Sequence, residues 1–184
     1  MRIIVAGIPG AGKTTVLNEV KERREIGIIN YGDVMLELAK KKNLVGNRDE
    51  LRKLPYEKQI ELQEEAARKI AEKKDVIIDT HCTIKTPYGY MPGLPYNVLS
   101  ILKPKSIVLI EADAEDILKR RKKDEGIRQR DDEAIKEIEM HQYFNRMASI
   151  AYASFVGATV KVIKNEEGKA YKAAEEIIKV LNNG

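Results

Sequence analysis

The residues best suited to chemistry lie at the start of the chain. Gly7-Ile8-Pro9-Gly10-Ala11-Gly12-Lys13-Thr14-Thr15 has the spacing G-x-x-x-x-G-K-[ST]. Such a loop wraps phosphate: its glycines let backbone N–H groups turn inward, and Pro9 stiffens one φ angle. A helix starting there adds a positive N-terminal end. In this pattern Lys13 reaches the β- and γ-phosphates and the Thr14 hydroxyl binds Mg²⁺. A glycine-rich turn with an accidental Lys-Thr is the plain alternative. An apolar strand pattern over residues 2–6 and a helical pattern from Lys13 argue against it. A second carboxylate is also needed. Asp79 closes the apolar run Val76-Ile77-Ile78, where an acid holds Mg²⁺ directly or through water. A turn or helix cap is its bland role. Glu111 closes residues 107–110 in the same way and reads rather as a surface or supporting acid.

Those residues must be carried by something. Apolar runs of strand length occur at 2–6, 26–30, 76–79, 106–110 and 159–163, with helical periodicity between them. Strands alternating with helices specify an α/β layer fold with a mainly parallel sheet and ligands at the strands' carboxyl ends. Asp33 reads as the N-cap of a helix over 34–41. Pro55 reads as the first residue of a helix to about 73, with Ile60, Gln63, Ala67 and Ile70 on one face. Residues 80–96 contain Pro87, Gly89, Pro92, Gly93 and Pro95 and are expected to form a structured loop. A long helix over 133–156 should stop at Gly157. One domain spans 1–184, with two excursions from β–α alternation, 32–74 and 120–132, both placed after strands.

Composition excludes several classes. The 33 basic residues nearly balance the 29 acidic ones, and the net charge of +4 does not argue for nucleic acid by itself. No apolar run is long enough for a membrane helix. The N-terminus enters a core strand at once, so no signal peptide is expected. A single cysteine, Cys82, allows no internal disulfide and fits a reducing, cytoplasmic location. It also rules out a cysteine zinc site, and a His81–Cys82–His141 metal site is disfavoured because neighbours on an extended chain point apart.

A phosphate loop serves GTPases, ATPases, helicases and kinases alike. The fifth strand runs into Lys164-Asn165-Glu166-Glu167-Gly168, which is not the Asn-Lys-x-Asp that reads guanine. The chain is too short for a helicase core, leaving a small phosphate-loop kinase. Over essentially its whole length the sequence resembles archaeal-type adenylate kinases. The resemblance rests on Gly7 to Thr15, Ile29-Asn30-Tyr31-Gly32-Asp33, Arg48-Asp49-Glu50-Leu51-Arg52-Lys53-Leu54, Asp79-Thr80-His81, Thr86-Pro87 and Gly89-Tyr90-Met91-Pro92-Gly93-Leu94-Pro95. It extends to Leu109-Ile110-Glu111-Ala112-Asp113 and Arg128-Gln129-Arg130. It implies a five-stranded parallel sheet, reversible Mg²⁺-dependent transfer between ATP and AMP, and often a homotrimer. It also implies an ATP site on Gly7, Ile8, Pro9, Gly10, Ala11, Gly12, Lys13, Thr14 and Thr15, with adenine against the backbone near Asn165.

Transfer between two phosphates needs positioning and charge neutralisation more than a base. Catalytic cations are therefore sought, and Lys13, Arg120, Arg128 and Arg130 are the candidates. In the family the segment holding Arg128 and Arg130 is a lid that closes over the phosphates and excludes water. A solvated charge run is the alternative, and Arg121 is balanced between the two. For the acceptor, the resemblance selects Gly32, Asp33, Thr80 and Thr86 in regions 32–74 and 80–95. The bacterial pattern has an arginine just after Gly-Asp; here Val34-Met35-Leu36 is apolar, so Arg48, Arg52 or Lys85 must meet the acceptor phosphate. Arg48 and Arg52 share a helical face, yet either could pair with Glu50 or Glu57. Lys85 supplies charge without a bidentate fork. Arg146 could pair an acid or reach a phosphate. Two rivals remain: a kinase for another nucleoside monophosphate, and a phosphate-loop ATPase acting on nucleic acid or a protein.

Overall fold

The computed structural model describes residues 1–51, 53–125 and 131–183. In chain order the elements are β1 (Arg2–Ala6), α1 (Lys13–Arg23), β2 (Gly27–Asn30), α2 (Tyr31–Lys41), α3 (Arg48–Leu51) and α4 (Tyr56–Ala71). Next come β3 (Val76–Thr80), β4 (Thr83–Thr86), β5 (Gly89–Pro92), α5 (Tyr96–Leu102) and β6 (Ser106–Glu111). The chain closes with α6 (Ala114–Glu125), α7 (Asp131–Val156), β7 (Thr159–Lys164) and α8 (Ala170–Asn182). Five strands form one parallel sheet in the order β2-β3-β1-β6-β7.

Alternation along the strands sorts the core into two layers. Ile3 and Val5 of β1 point to the side covered by α1 and α8, joining Ile77, Val108, Val20 and Ile177. Ile4 and Ala6 point to the other side, among Ile78, Leu109, Leu62, Ile70 and Leu99. A smaller apolar cluster of Ile8, Ala11, Ile117 and Ile138 holds α6 and α7 against the loop after β1. The register sets Val5 beside Asp79 and Ala6 beside Thr80, and Asn30 beside Asp79 on the far side of β3. The phosphate loop therefore leaves the sheet next to the acid.

Three local expectations need correction. Helix α2 starts at Tyr31, and its cap is Asn30, whose side chain accepts the Asp33 N–H at 3.1 Å; Asp33 itself lies in the first turn. Helix α4 is rotated from its expected face: Leu62, Ala66, Ala67 and Ile70 are buried, while Ile60 and Gln63 are only half-buried. Pro55 precedes the helix as its N-cap. The expected loop at 80–96 contains an antiparallel hairpin, β4–β5, with Ile84 opposite Met91 and Lys85 opposite Tyr90. Its prolines are tolerated because the two-stranded sheet has only edges. At its base a Cβ on Gly93 would lie 2.1 Å from the His81 carbonyl oxygen, so only glycine permits this approach.

Candidate functional site

The site is built where β1 gives way to α1. Gly12 has φ 82°, a left-handed conformation that turns the chain into the helix, and no side chain caps α1. The first-turn amides of α1 are thus available to an anion. Beneath the loop, Arg121 donates to the Pro9 carbonyl at 2.7 and 2.9 Å, and Arg120 donates to the Gly10 carbonyl at 3.1 Å. Two guanidinium groups from α6 therefore flank the phosphate loop. Arg120 also pairs with Glu167 across the mouth of a cavity of about 350 Å³ lined by Gly12, Thr15, Asn165, Gly168 and Tyr171.

Lys13 sits over the carboxyl end of β3. Its ammonium donates to the Thr80 carbonyl at 2.7 Å and pairs with Asp79. Asn30 donates to the second Asp79 oxygen at 2.9 Å. Asp79 Oδ1 is buried and touches only the Lys13 ammonium, with no hydrogen bond of good geometry. A buried carboxylate oxygen in that condition suits a divalent cation, and the Thr14 hydroxyl at the start of α1 is exposed. Among the described residues no cluster of three or more His, Cys, Asp or Glu side chains offers another metal site.

On the far side of Lys13 a second cavity, of about 400 Å³, opens between α2, α3, α4 and the β4–β5 hairpin. Asn30, Arg48, Asp79, Thr80 and His81 form its polar part, and Met35, Leu51, Ile84 and Met91 form an apolar part. Gln59 and Gln63 of α4 also line it. Arg48 pairs with Asp33 and lies 3.4 Å from the Asn30 amide oxygen. The Nδ1 of His81 lies 3.3 Å from the Gly7 carbonyl oxygen. Asp79 lines this second cavity, and Lys13, which pairs with it, directly follows Gly12 of the first.

The expected residues divide accordingly. Gly12, Thr15, Arg120 and Asn165 line the first cavity; Gly32, Arg48, Asp79, Thr80 and Thr86 line the second. Ile8 and Ala11 are buried supports of the loop rather than open surface. Asp33 is exposed at the rim and holds Arg48. Lys85 lies outside the second cavity: it alternates with Ile84 and Thr86 along β4 and pairs with Glu137 of α7 at 2.6 Å. Asn165 is buried, donating from its side chain to the Ala11 carbonyl at 2.9 Å and from its backbone to the Glu111 carbonyl at 2.7 Å. Arg146 resolves as the acid-paired alternative, gripping Glu111 with two nitrogens. Arg52, Arg128 and Arg130 lie outside the described residues. Asn30, Met35, Gln59, Gln63, Ile84 and Met91 were not singled out as site residues from the sequence. Only Gln63 carried a signal: a polar residue interrupting the apolar face of a helix.

Comparison with known proteins bears directly on this geometry. The AAA domain family model matches residues 6–139. The adenylate kinase of Methanopyrus kandleri is 54% identical, covering 98% of this chain and 97% of its own. That of Thermoplasma acidophilum is 51% identical, covering 98% of both chains. The chain belongs to the adenylate kinase family. The adenylate kinase of Methanocaldococcus jannaschii, 49% identical over 97% of each chain, extends the same relationship. Among solved structures, shikimate kinase from Acinetobacter baumannii, in complex with shikimate, matches with TM-score 0.60 at 16% identity, covering 99% of this chain and 93% of its own. Shikimate kinase from Aquifex aeolicus matches with TM-score 0.55 at 19% identity, covering 100% and 97%. At these identities the structural matches show a shared fold alone.

Proposed function

We propose that this chain is an adenylate kinase that catalyses ATP + AMP = 2 ADP and so balances adenine nucleotides. The observation that carries the proposal is the Lys13–Asp79 pair between two cavities: Asp79 lines the one beside the hairpin, and Lys13 directly follows Gly12, which lines the one over the phosphate loop. ATP occupies the first, with its phosphates on Gly7 to Thr15, and AMP occupies the second. An AMP phosphate oxygen attacks the γ-phosphorus while the bond to the β,γ-bridging oxygen breaks. The attacking oxygen is already anionic near neutral pH, so no side chain has to remove a proton. Lys13 leaves Asp79 to bridge donor and acceptor phosphates. Arg120 and Arg121, already aimed at the loop, neutralise charge there, and Arg128 and Arg130 act from the lid segment 120–132. Arg48 and Arg52 meet the acceptor phosphate. Lys85 pairs with Glu137 outside the second cavity, so in this proposal the arginines take that contact.

Mg²⁺ belongs to the same proposal. Thr14 and Asp79 would hold it, and it would supply charge to the β- and γ-phosphate oxygens. A divalent cation held there would offset the Asp79 charge once Lys13 turns to the phosphates.

A homotrimer is also proposed. Met140, Tyr143, Met147 and Ile150 are exposed at helical spacing along α7, beside exposed Val162 on the edge strand β7. Such an apolar stripe supports burial against further copies of the chain. A cytoplasmic location is supported by the use of a single, buried cysteine, Cys82, which builds no internal disulfide. No described helix is long and apolar enough to cross a membrane.

A coupled assay with a panel of monophosphates tests the function. ADP formation should require both ATP and AMP. ATP turnover indifferent to AMP, or a faster rate with UMP or CMP, overturns it.

A further inference from the structure

The second cavity has a polar part beside Lys13 and an apolar part between α2, α3 and the hairpin. A nucleoside monophosphate bound there places its phosphate toward Lys13 and Arg48 and its base against Met35, Leu51, Ile84 and Met91. The hairpin residues Ile84 and Met91 are 41% and 47% exposed, and they are cross-strand neighbours, so they share one face. A flat base covering them removes apolar surface from water. That accounts for binding a base but not for choosing one, because apolar contact is blind to the pattern of donors and acceptors on the base edge.

Gln63 supplies what is missing. It lines the same cavity from α4, half-buried, and its side-chain amide makes no hydrogen bond to any described residue. Its backbone is held: the buried Tyr31 hydroxyl bonds the Gln63 carbonyl, and burial keeps that phenol protonated by raising its pKa. One residue along, Glu64 accepts from Asn97 of α5 at 2.7 Å. The turn of α4 that bears Gln63 is therefore pinned from two sides while its amide is left unspent. We infer that Gln63 is the residue that selects the acceptor base, pairing its N–H with adenine N1 and its carbonyl with the exocyclic amine. This rests on the placement of the acceptor in the second cavity.

The chemistry of the amide makes the inference sharp. Glutamine presents one donor and one acceptor side by side, matching the adenine edge bidentately. Glutamate at the same place presents acceptors alone. It would oppose the lone pair on adenine N1, whereas its two oxygens match the N1–H and 2-amino donors of guanine. Gln63→Glu should thus reverse a preference, whereas loss of a merely structural residue would weaken all acceptors together.

The test uses the full chain, saturating ATP, and AMP or guanosine monophosphate as acceptor. Gln63→Leu should raise KM for AMP by roughly ten- to a hundredfold, with KM for ATP unchanged. Gln63→Glu should lower the AMP-to-GMP ratio of kcat/KM by about tenfold or more. An unchanged KM for AMP in Gln63→Leu, or an equal loss on both acceptors in Gln63→Glu, overturns the inference. Ile84→Asp separates this from the underlying placement. If Ile84→Asp raises KM for AMP while the Gln63 variants do not, only the role of Gln63 fails. If none of the three does, the second cavity is not the acceptor site and both fail.

Discussion

Lys13 and Asp79 form an ion pair whose side chains are only 12% and 15% exposed. Removing one member strands the other in a poorly solvated place. Breaking a fully buried pair costs about 3–5 kcal/mol, and an exposed one is worth about 0–1 kcal/mol. This pair borders an open cavity, and Asn30 still serves one Asp79 oxygen, so Lys13→Met should cost about 2–3 kcal/mol. Asp79→Asn leaves the Lys13 ammonium with the Thr80 carbonyl as a partner and should cost about 1–2 kcal/mol. The double variant replaces both charges by neutral groups of similar size. It should lie within about 1 kcal/mol of the wild type, which makes the coupling about 2 kcal/mol or more. Thermal unfolding reads this directly, since a chain of this length loses about 2–4 °C per kcal/mol. Lys13→Met should thus melt about 4–12 °C lower, and the double variant should recover most of that. Activity should behave oppositely. Loss of one preorganised cation facing developing charge costs about 10²–10³ in kcat, and the double variant should stay as inactive as Lys13→Met. Single effects that add to within about 0.5 kcal/mol would show that the pair carries no coupling. A Lys13→Met enzyme keeping more than about a tenth of the wild-type kcat would remove Lys13 from the transfer step.

Two further outcomes follow from buried groups. Burial pushes the Cys82 thiol up to about 12 and the Tyr152 hydroxyl up to about 12. Both ionise sooner when unfolded, so the unfolded state holds fewer protons above about pH 9 and stability falls as pH rises from there toward 12. The Cys82 share should reach about 2 kcal/mol by pH 10.5, and Cys82→Ala should flatten the decline in alkaline denaturation curves. Gly93→Ala drives a Cβ into the backbone of His81 and Cys82, groups that cannot swing aside. It should cost about 1–3 kcal/mol in denaturant unfolding. Because the displaced hairpin carries Ile84 and Met91, KM for AMP should rise while KM for ATP holds.

Much of the architecture was legible from local pattern. Apolar runs of strand length alternated with helical periodicity, and that alternation dictates a parallel sheet whatever the partners turn out to be. The phosphate loop was legible for the same reason: its chemistry depends on glycines, a lysine and a threonine adjacent in sequence, held by the strand before and the helix after. Asp79 could be named because it ends an apolar run, although Glu111 ends another in the same way and pairs with Arg146 instead. The hairpin was less legible, since proline and glycine mark turns and two-stranded edges alike.

What the sequence could not rank was which of several chemically equivalent side chains reach the site. Lys85 and Arg48 carry similar local signals, but β-strand alternation turns Lys85 toward Glu137 while Arg48 stays at the cavity rim. Arg146 reads like Arg120 on paper; in the fold one closes on Glu111 and the other on the loop carbonyl of Gly10. Asn30 meets Asp79 only because β2 pairs with β3 in one particular register. A rotation of α4 by part of a turn brings Gln63 to the cavity and Leu62 to the core. These outcomes depend on strand register, helix rotation and contacts between residues tens of positions apart. Such long-range contacts are settled when the whole core packs, and no local window of sequence contains them. The phosphate loop and Asp79 were written in sequence; the side chains that line the second cavity were decided by packing.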